Sequence, residues 1–446
     1  MVYGIITLVK TRSIALSLAL LLIATFALSC LSTGIFKQQD EALAQRYIQT
    51  IKYRNLIIDL GNGVKTNAQL TLPAVGKGPF PAVLLVHGSG RTDMNETAPM
   101  NVKPFWQISQ YLTERGFVVL RYDKRGIGAN HIISDSNVWG NATFNELKQD
   151  AEKALAILIN QPEVDPNKIT VLGHSEGTMI APRVAIDNTT KVKNVVLMGT
   201  VAQNLGDIQY LQVVSIPLLY AEKVLDHNHD GMLSVSEANE NPVFSGMVGN
   251  FTLLLETTNG TTHQLNPKYN TDKDAYISIN NELKPKLVAQ VDSLPAITLG
   301  KKCTSACPIW VRSHFALEPT LSIIGNVSPK TSILILQGEN DTQTPVQQAF
   351  LLQQTLIDKR HADHTLITYP NLGHVFYPSS EWKTAFGSIQ QSVLADLYSW
   401  LEAHSGLSRS SVTTTSTTGA NTSSLIQISL LLEVPRDSYR TTTTNK

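Results

Sequence analysis

The sequence predicts an α/β fold in which a mostly parallel central sheet is flanked by helices and interrupted by an inserted, largely helical cap. Three observations predict it: strand and helix signals alternate along most of the chain, residues 201–328 break that rhythm, and a glycine-flanked serine joins an apolar strand to a helix. Alternating β and α units put helices on both faces of a parallel sheet. A structureless stretch as long as 201–328 is implausible inside a compact domain, so that interval reads as an insertion.

At the N-terminus, Lys10 and Arg12 precede an uncharged apolar run from Ser13 to Phe36, so residues 1–36 read as a signal peptide or an N-terminal membrane anchor. Ala27-Leu28-Ser29 offers a cleavage site, and Cys30 is a candidate for lipidation. Either route predicts an extracytoplasmic protein, secreted or anchored to the outer face of the membrane. The first part of the core, 37–200, opens with the strands "NLIIDL" and "AQLTL", followed by "PAVLLVHGSG", "FVVLRYD", the helical "LKQDAEKALAILI", "KITVLGHS" and "VKNVVLMGT". Its second part, 329–404, holds "SILILQGEND", "HTLITYPNLGH" and the helical "SIQQSVLADLYSWLEA". From 405 to 446 the chain is rich in serine and threonine and reads as a flexible tail. The apolar "LIQISLLLEV" inside that tail is too short to span a bilayer.

Composition bounds the function. A chain of 446 residues suits one large α/β domain with an insertion, or two domains, and 42% hydrophobic residues supply a sizeable core. Lysine plus arginine equal aspartate plus glutamate at 36 each, so no global field draws the protein to nucleic acid. The expected partner is a small molecule, with membrane contact only through the N-terminal segment if it is retained. With Cys30 in the leader, Cys303 and Cys307 of "KKCTSACP" remain as an even pair, and a disulfide between them suits an oxidising compartment. Zinc is disfavoured, because only His314 lies nearby and there is no second cysteine pair. Eight N-x-[ST] sequons, including Asn95 and Asn340, permit glycosylation without arguing for it.

The chemistry centres on Gly173-His174-Ser175-Glu176-Gly177, which comes after the apolar "ITVL" and opens a helix predicted to begin at Ser175. Small neighbours let a sharp strand-to-helix turn pack tightly while the serine hydroxyl projects over the sheet edge. The helix then aims its N–H groups and positive dipole end at a developing oxyanion. A nucleophilic serine needs a base and a carboxylate to orient that base. Asp341 follows the strand "LILQG", with Glu339 as rival carboxylate, and His374 lies in the loop after "LITY". The glycine-containing "VHGSG" follows an earlier strand, so the oxyanion donors are assigned to the N–H groups of Ser89 and Glu176. His87 reads as a structural histidine. Arg121, Asp123 and Arg125 of "RYDKRGIG" read as charges that pin a loop beside the oxyanion site.

These segments, together with "KPFWQISQYLTERGFVVLRYDKRGIG", "PEVDPNKITVLGHSEG", "LILQGENDTQTP" and "NLGH", resemble the α/β-hydrolase superfamily. Within it the chain is similar to serine esterases near dienelactone hydrolases, prolyl-oligopeptidase catalytic domains and serine aminopeptidases. The resemblance covers about 55–200 and 329–404. It implies an α/β-hydrolase fold and a Ser175–His374–Asp341 triad acting through an acyl-enzyme. Dienelactone hydrolases proper use a cysteine where this chain has Ser175, and haloalkane dehalogenases use an aspartate. Prolyl oligopeptidases carry a propeller for which the stretch before Asn55 leaves no room. A serine carboxylesterase is the reading that remains, with an aminopeptidase as alternative.

A second motif lies in the insertion. In "DHNHDGMLSVSE", residues 226–237, oxygen-bearing side chains fall at Asp226, Asn228, Asp230 and Ser234, Met232 offers its carbonyl, and Glu237 closes the loop around Gly231. This spacing matches an EF-hand calcium loop, whose hard cation takes six to eight oxygens at about 2.3–2.6 Å. The run "IQYLQVVSIPLLYAEKVL" supplies an incoming helix that Pro217 should kink, and "SVSEANEN" begins an outgoing one. Only one such loop is visible, which argues for a structural calcium that braces the cap, with no cofactor for catalysis. A non-catalytic, calcium-dependent surface binding protein is the alternative from another class.

Overall fold

A computed structural model describes residues 51–239, 254–258, 262–294, 307–382 and 384–406. The leader with Cys30, the tail beyond Gly406, and Cys303 lie outside the described residues.

The body is an eight-stranded sheet with the order β1-β2-β4-β3-β5-β6-β11-β12. In chain order its strands are β1 (Ile51–Gly61), β2 (Val64–Pro73), β3 (Phe80–Val86), β4 (Val118–Tyr122), β5 (Val164–His174), β6 (Val192–Met198), β11 (Ser332–Gly338) and β12 (His364–Tyr369). β1 and β2 form an antiparallel hairpin, and β2 meets β4 antiparallel. The pairs from β4 onward are parallel. Burial explains the sequence pattern. β1 at the edge alternates between buried and exposed residues, whereas β11 is buried along its whole length and reads as a continuous apolar run.

Helices cover both faces. The helix Phe144–Ile159 starts at a capping box in which Thr143 and Glu146 satisfy each other's backbone N–H groups, and it buries Leu147, Ala151, Ala154, Leu155 and Leu158 against the sheet. The helix after β5 spans Gly177–Asp187, two residues later than the sequence predicts. Ser175 itself adopts φ 53°, outside the helical region. The last helix, Gln391–Ser405, ends on Gly406 in the left-handed conformation, so ordered structure continues past the predicted start of the tail.

The inserted cap contains more strand than predicted. Two short antiparallel pairs occur there, β7 (Met232–Ser234) with β10 (Tyr276–Ser278), and β8 (Leu255–Thr258) with β9 (Thr262–Leu265). Strands of three or four residues are too short to display a period of two. The helical run from Leu205 to Leu225 passes Pro217 by alternating α and π turns, with π segments at Leu211–Ser215 and Ala221–Leu225. Ile216 donates five residues back, to the Leu211 carbonyl, just before the proline. The cap has its own apolar cluster, including Val214, Leu225, Leu233, Ile277, Leu283 and Leu287.

Two glycines are required by close approach. A Cβ on Gly173 would overlap the Gly177 carbonyl, and one on Gly177 would overlap the Val86 carbonyl. Gly177→Ala is therefore expected to destabilise the fold by about 1–3 kcal/mol as an overpacked site, read as a lower urea midpoint at constant slope.

Candidate active site

Ser175, Asp341 and His374 each follow the C-terminal end of a parallel strand, after β5, β11 and β12 respectively. Ser175 is half-buried at the strand-to-helix turn, and its left-handed backbone stores about 1–3 kcal/mol of strain. The neighbouring pieces hold that turn: Ser175 N–H donates to the Met198 carbonyl at 2.9 Å, and its own carbonyl accepts from Thr178 N–H at 2.8 Å.

Asp341 and His374 are both buried and meet directly. Asp341 Oδ2 lies 2.8 Å from His374 Nδ1, while Oδ1 accepts from the N–H groups of Gln343 and Thr344 at 2.9 and 2.8 Å. Thr344 Oγ1 adds a bond to Oδ2 at 2.8 Å. Burial alone would raise the Asp341 pKa, but the His374 charge and the bonds from His374 and Thr344 outweigh it and hold the carboxyl below its ordinary range. Glu339, the rival carboxylate, is exposed and accepts from Thr368 Oγ1. With Nδ1 committed to Asp341, Nε2 is the His374 nitrogen left for a serine hydroxyl. Among the described residues no hydrogen bond joins Ser175 Oγ to His374.

The loop after β3 packs onto the serine. A Cβ on Gly88 would come within 2.9 Å of Ser175 Cβ, so only glycine lets this backbone approach Ser175 so closely. Gly88 N–H is already used, donating to Glu96 Oε1 at 2.6 Å. Among the described residues neither the Ser89 nor the Glu176 N–H donates to a protein acceptor, which leaves both for an oxyanion. His87 donates from Nε2 to the Tyr122 carbonyl at 2.9 Å, and burial followed by the Lys124 charge lowers its pKa to about 4. It is a neutral structural histidine. Arg121 donates to Asn95 and Gln69, Asp123 accepts from Met94 N–H, and Arg125 pairs with Asp150 and Glu146.

Two buried clamps were not foreseen from the sequence. In the first, Glu176 Oε2 lies 2.6 Å from Lys124 Nζ, which also donates to the Gly88 carbonyl at 2.7 Å. Glu176 Oε1 accepts from Trp310 Nε1 at 2.5 Å and lies 2.8 Å from His314 Nε2. In the second, His174 Nδ1 lies 2.9 Å from Glu96 Oε2, an ion-pair distance at an angle outside hydrogen-bond geometry. His174 Nε2 lies 3.1 Å from the His374 carbonyl. The only sequence signal was ionisable residues at both variable positions of G-x-S-x-G.

The predicted calcium loop folds as a closed turn. Asp226 is buried, and its carboxylate accepts from the N–H groups of Asp230 and Gly231 at 3.1 and 2.9 Å. Met232 N–H donates to Asp230, and Asn228 Nδ2 donates to Asp230 Oδ2. Glu237 reaches across the loop, accepting from His227 N–H at 3.3 Å and from Ser234 N–H and Oγ at 2.9 and 2.7 Å. This donor set of carboxylates, an amide, a hydroxyl and a main-chain carbonyl suits a hard cation. Among the described residues no three His, Cys, Asp or Glu side chains already converge as a metal cage. Cys307, at the head of the helix Pro308–Phe315, is disulfide-bonded.

The clamps have opposite pH signatures. Burial would raise Glu176, but Lys124 and His314 depress it below the ordinary 4.5, so its contribution is full above that value and is lost as pH falls through the folded pKa. Burial would lower His174, but Glu96 raises it above 6.5, so its contribution is full below that value and fades as pH rises through the folded pKa. Stability is thus expected to fall on both sides of a window near pH 4.5–6.5. His174→Gln should flatten the alkaline limb, measured as urea midpoints at acidic and alkaline pH.

Comparison with known proteins agrees with this architecture. A family model described as the alpha/beta hydrolase fold matches residues 81–380. Over 153 residues the chain is 36% identical to esterase EstD of Thermotoga maritima, covering 33% of this chain and 34% of EstD. Over 178 residues it is 26% identical to esterase FrsA of Yersinia pestis, covering 38% of each. The chain therefore spans well under two thirds of the length of either relative. Among solved structures, the alpha/beta hydrolase GrgF from Penicillium superposes with a TM-score of 0.46 at 15% identity, covering 80% of this chain and 100% of GrgF. The matched family span exceeds half of the sequence, and the protein belongs to the α/β-hydrolase family.

Proposed function

We propose that this chain is an exported serine hydrolase that cleaves carboxylic esters through Ser175, His374 and Asp341, with a structural calcium ion in its cap. The observation that carries the reading is the buried Asp341–His374 pair, 2.8 Å apart, in an α/β hydrolase whose Ser175 occupies a left-handed strand-to-helix turn. Esterase-named relatives support the substrate class. The disulfide at Cys307 and the apolar leader support export.

The chemistry runs in two halves. His374 Nε2 takes the Ser175 proton as Oγ attacks the ester carbonyl carbon. The electron pair moves onto the carbonyl oxygen, which the N–H groups of Ser89 and Glu176 stabilise. Collapse restores the carbonyl and breaks the bond to the alcohol, which leaves with the proton from His374. Water, deprotonated by His374, then attacks the acyl-enzyme. Release of the acid returns the proton to Ser175. Asp341 fixes the imidazole tautomer and stabilises the imidazolium formed in each half.

A calcium ion in the cap loop would be held by Asp226, Asn228, Asp230, Ser234 and Glu237, with the Met232 carbonyl, and would order the cap without touching the scissile bond. A catalytically inert binding protein would have no need of a complete Ser–His–Asp set.

Ser175→Ala should abolish turnover of a short p-nitrophenyl ester and labelling by a fluorophosphonate probe, with circular dichroism unchanged; undiminished turnover would remove the enzyme reading. A panel of esters and aminoacyl amides separates esterase from aminopeptidase, with the esters expected to be cleaved faster. Glu237→Gln should lower the melting temperature in calcium and leave it unaltered in chelator. A wild-type protein insensitive to chelation would remove the calcium ion from this reading.

A further inference from the structure

Residues 270–282, "NTDKDAYISINNE", repeat the architecture of the loop 226–237 without its sequence pattern. The two are joined by the antiparallel pair β7–β10, in which Leu233 faces Ile277 and both are fully buried in the cap core. The fourth residue of each loop is left-handed, His229 at φ 58° and Lys273 at φ 63°. The fifth N–H donates to the third side chain, Asp230 to Asn228 at 3.1 Å and Asp274 to Asp272 at 3.2 Å. The seventh donates to the fifth, Met232 to Asp230 at 2.8 Å and Tyr276 to Asp274 at 2.7 Å. The ninth is a serine that caps the adjoining helical turn, with Ser234 accepting from Glu237 N–H at 3.3 Å and Ser278 from Asn281 N–H at 3.2 Å.

The closing glutamates also correspond. Glu237 accepts from the N–H groups of the second and ninth residues of its loop. Glu282 does the same, accepting from Thr271 N–H at 2.6 Å and Ser278 N–H at 2.8 Å, although it stands one residue later in its loop. The extra residue is absorbed by the π turn Ile279–Leu283, which leads into the helix Lys284–Asp292.

An independent observation points to a ligand. Asn270, in the first position, is 6% exposed, and its amide nitrogen donates across the loop to the Asp274 carbonyl at 2.8 Å. Its Oδ1 is buried and, among the described residues, has no donor. Asp226, the corresponding residue, has its oxygens engaged by Asp230 and Gly231 N–H groups. Ala275 stands where Gly231 stands, and Asn270 Oδ1 is left facing no protein donor. A buried carbonyl oxygen without a partner is costly, and a hard cation satisfies it.

We propose that residues 270–282 form a second site for a divalent cation of the calcium class. Its oxygens come from Asn270, Asp272, Asp274, Ser278, Glu282 and the Tyr276 carbonyl, and the paired loops act as one two-ion module. Asp272, Asp274 and Glu282 supply the negative charge a dication requires. The site is additional to the single ion proposed for residues 226–237 and stands on its own residues.

Calorimetric titration of the chelator-treated full chain with calcium tests it. Two ions per chain are expected for the wild type, one for Glu237→Gln and one for Asp272→Asn combined with Asp274→Asn. Terbium luminescence excited through tyrosine supplies a readout that needs no carboxylate variant, because Tyr276 lies in the second loop and the corresponding Met232 does not absorb. Wild-type sensitised emission is expected, with a several-fold loss in Tyr276→Phe at unchanged stoichiometry. One ion per chain, lost in Glu237→Gln and kept in the double variant, overturns the second site and leaves the first. One ion kept in Glu237→Gln and lost in the double variant upholds the second and overturns the first. No binding at all overturns both.

Discussion

The buried carboxylate of Glu176 is the constraint on which the site depends. Its side chain is 2% exposed, and each oxygen is engaged: one by Lys124, the other by Trp310 and His314. An isolated carboxylate at that depth would take up a proton, so these partners are a condition of its charge. Lys124 passes the constraint to the Gly88 carbonyl in the loop after β3, and Trp310 and His314 pass it to the helix Pro308–Phe315. One residue beyond Ser175 thus fixes the loop after β3 and a helix of the insertion. Its own N–H stays uncommitted.

The residue before the serine does the corresponding work on the other side. His174 lies between Glu96 and the His374 backbone carbonyl, and its ring packs 4.7 Å from the His374 ring. Glu96 in turn accepts from Gly88 N–H. Gly88 is therefore held at both of its backbone groups, its N–H by Glu96 and its carbonyl by Lys124. The two variable positions of G-x-S-x-G tie Ser175 to the loop that carries His374 and to the loop after β3. Preorganisation of this kind spares reorganisation when charge develops on the substrate.

The sheet was legible because buried parallel strands are apolar runs, and "PAVLLV", "ITVL" and "SILIL" could hardly lie elsewhere. Ser175, Asp341 and His374 were legible because chain order and strand ends carry the signal; neither separates Asp341 from Glu339, which the contact of Asp341 with His374 and the exposure of Glu339 do. Lys124 and Glu96 were not legible. Each comes from a loop distant in sequence from the serine, and nothing local marks a charge that will be buried. The loop 270–282 escaped for three physical reasons: an amide replaces the first carboxylate, an alanine replaces the glycine, and a π turn shifts the glutamate by one residue. Hydrogen-bond topology preserved what the spacing lost.

The cap touches the loop that carries Asp341. The helical run Leu205–Leu225 enters directly at Asp226, and its Gln212 donates to the Gln343 carbonyl at 2.6 Å. The same Gln343 donates its N–H to Asp341 Oδ1 at 2.9 Å. Along that run, the π turns at Leu211–Ser215 and Ala221–Leu225 interrupt the α-helical hydrogen-bond pattern. One of them contains Gln212 and the other abuts the loop. The cap is thereby tied to the Asp341 carboxylate through one helical run and two hydrogen bonds, from Gln212 to Gln343 and from Gln343 to Asp341.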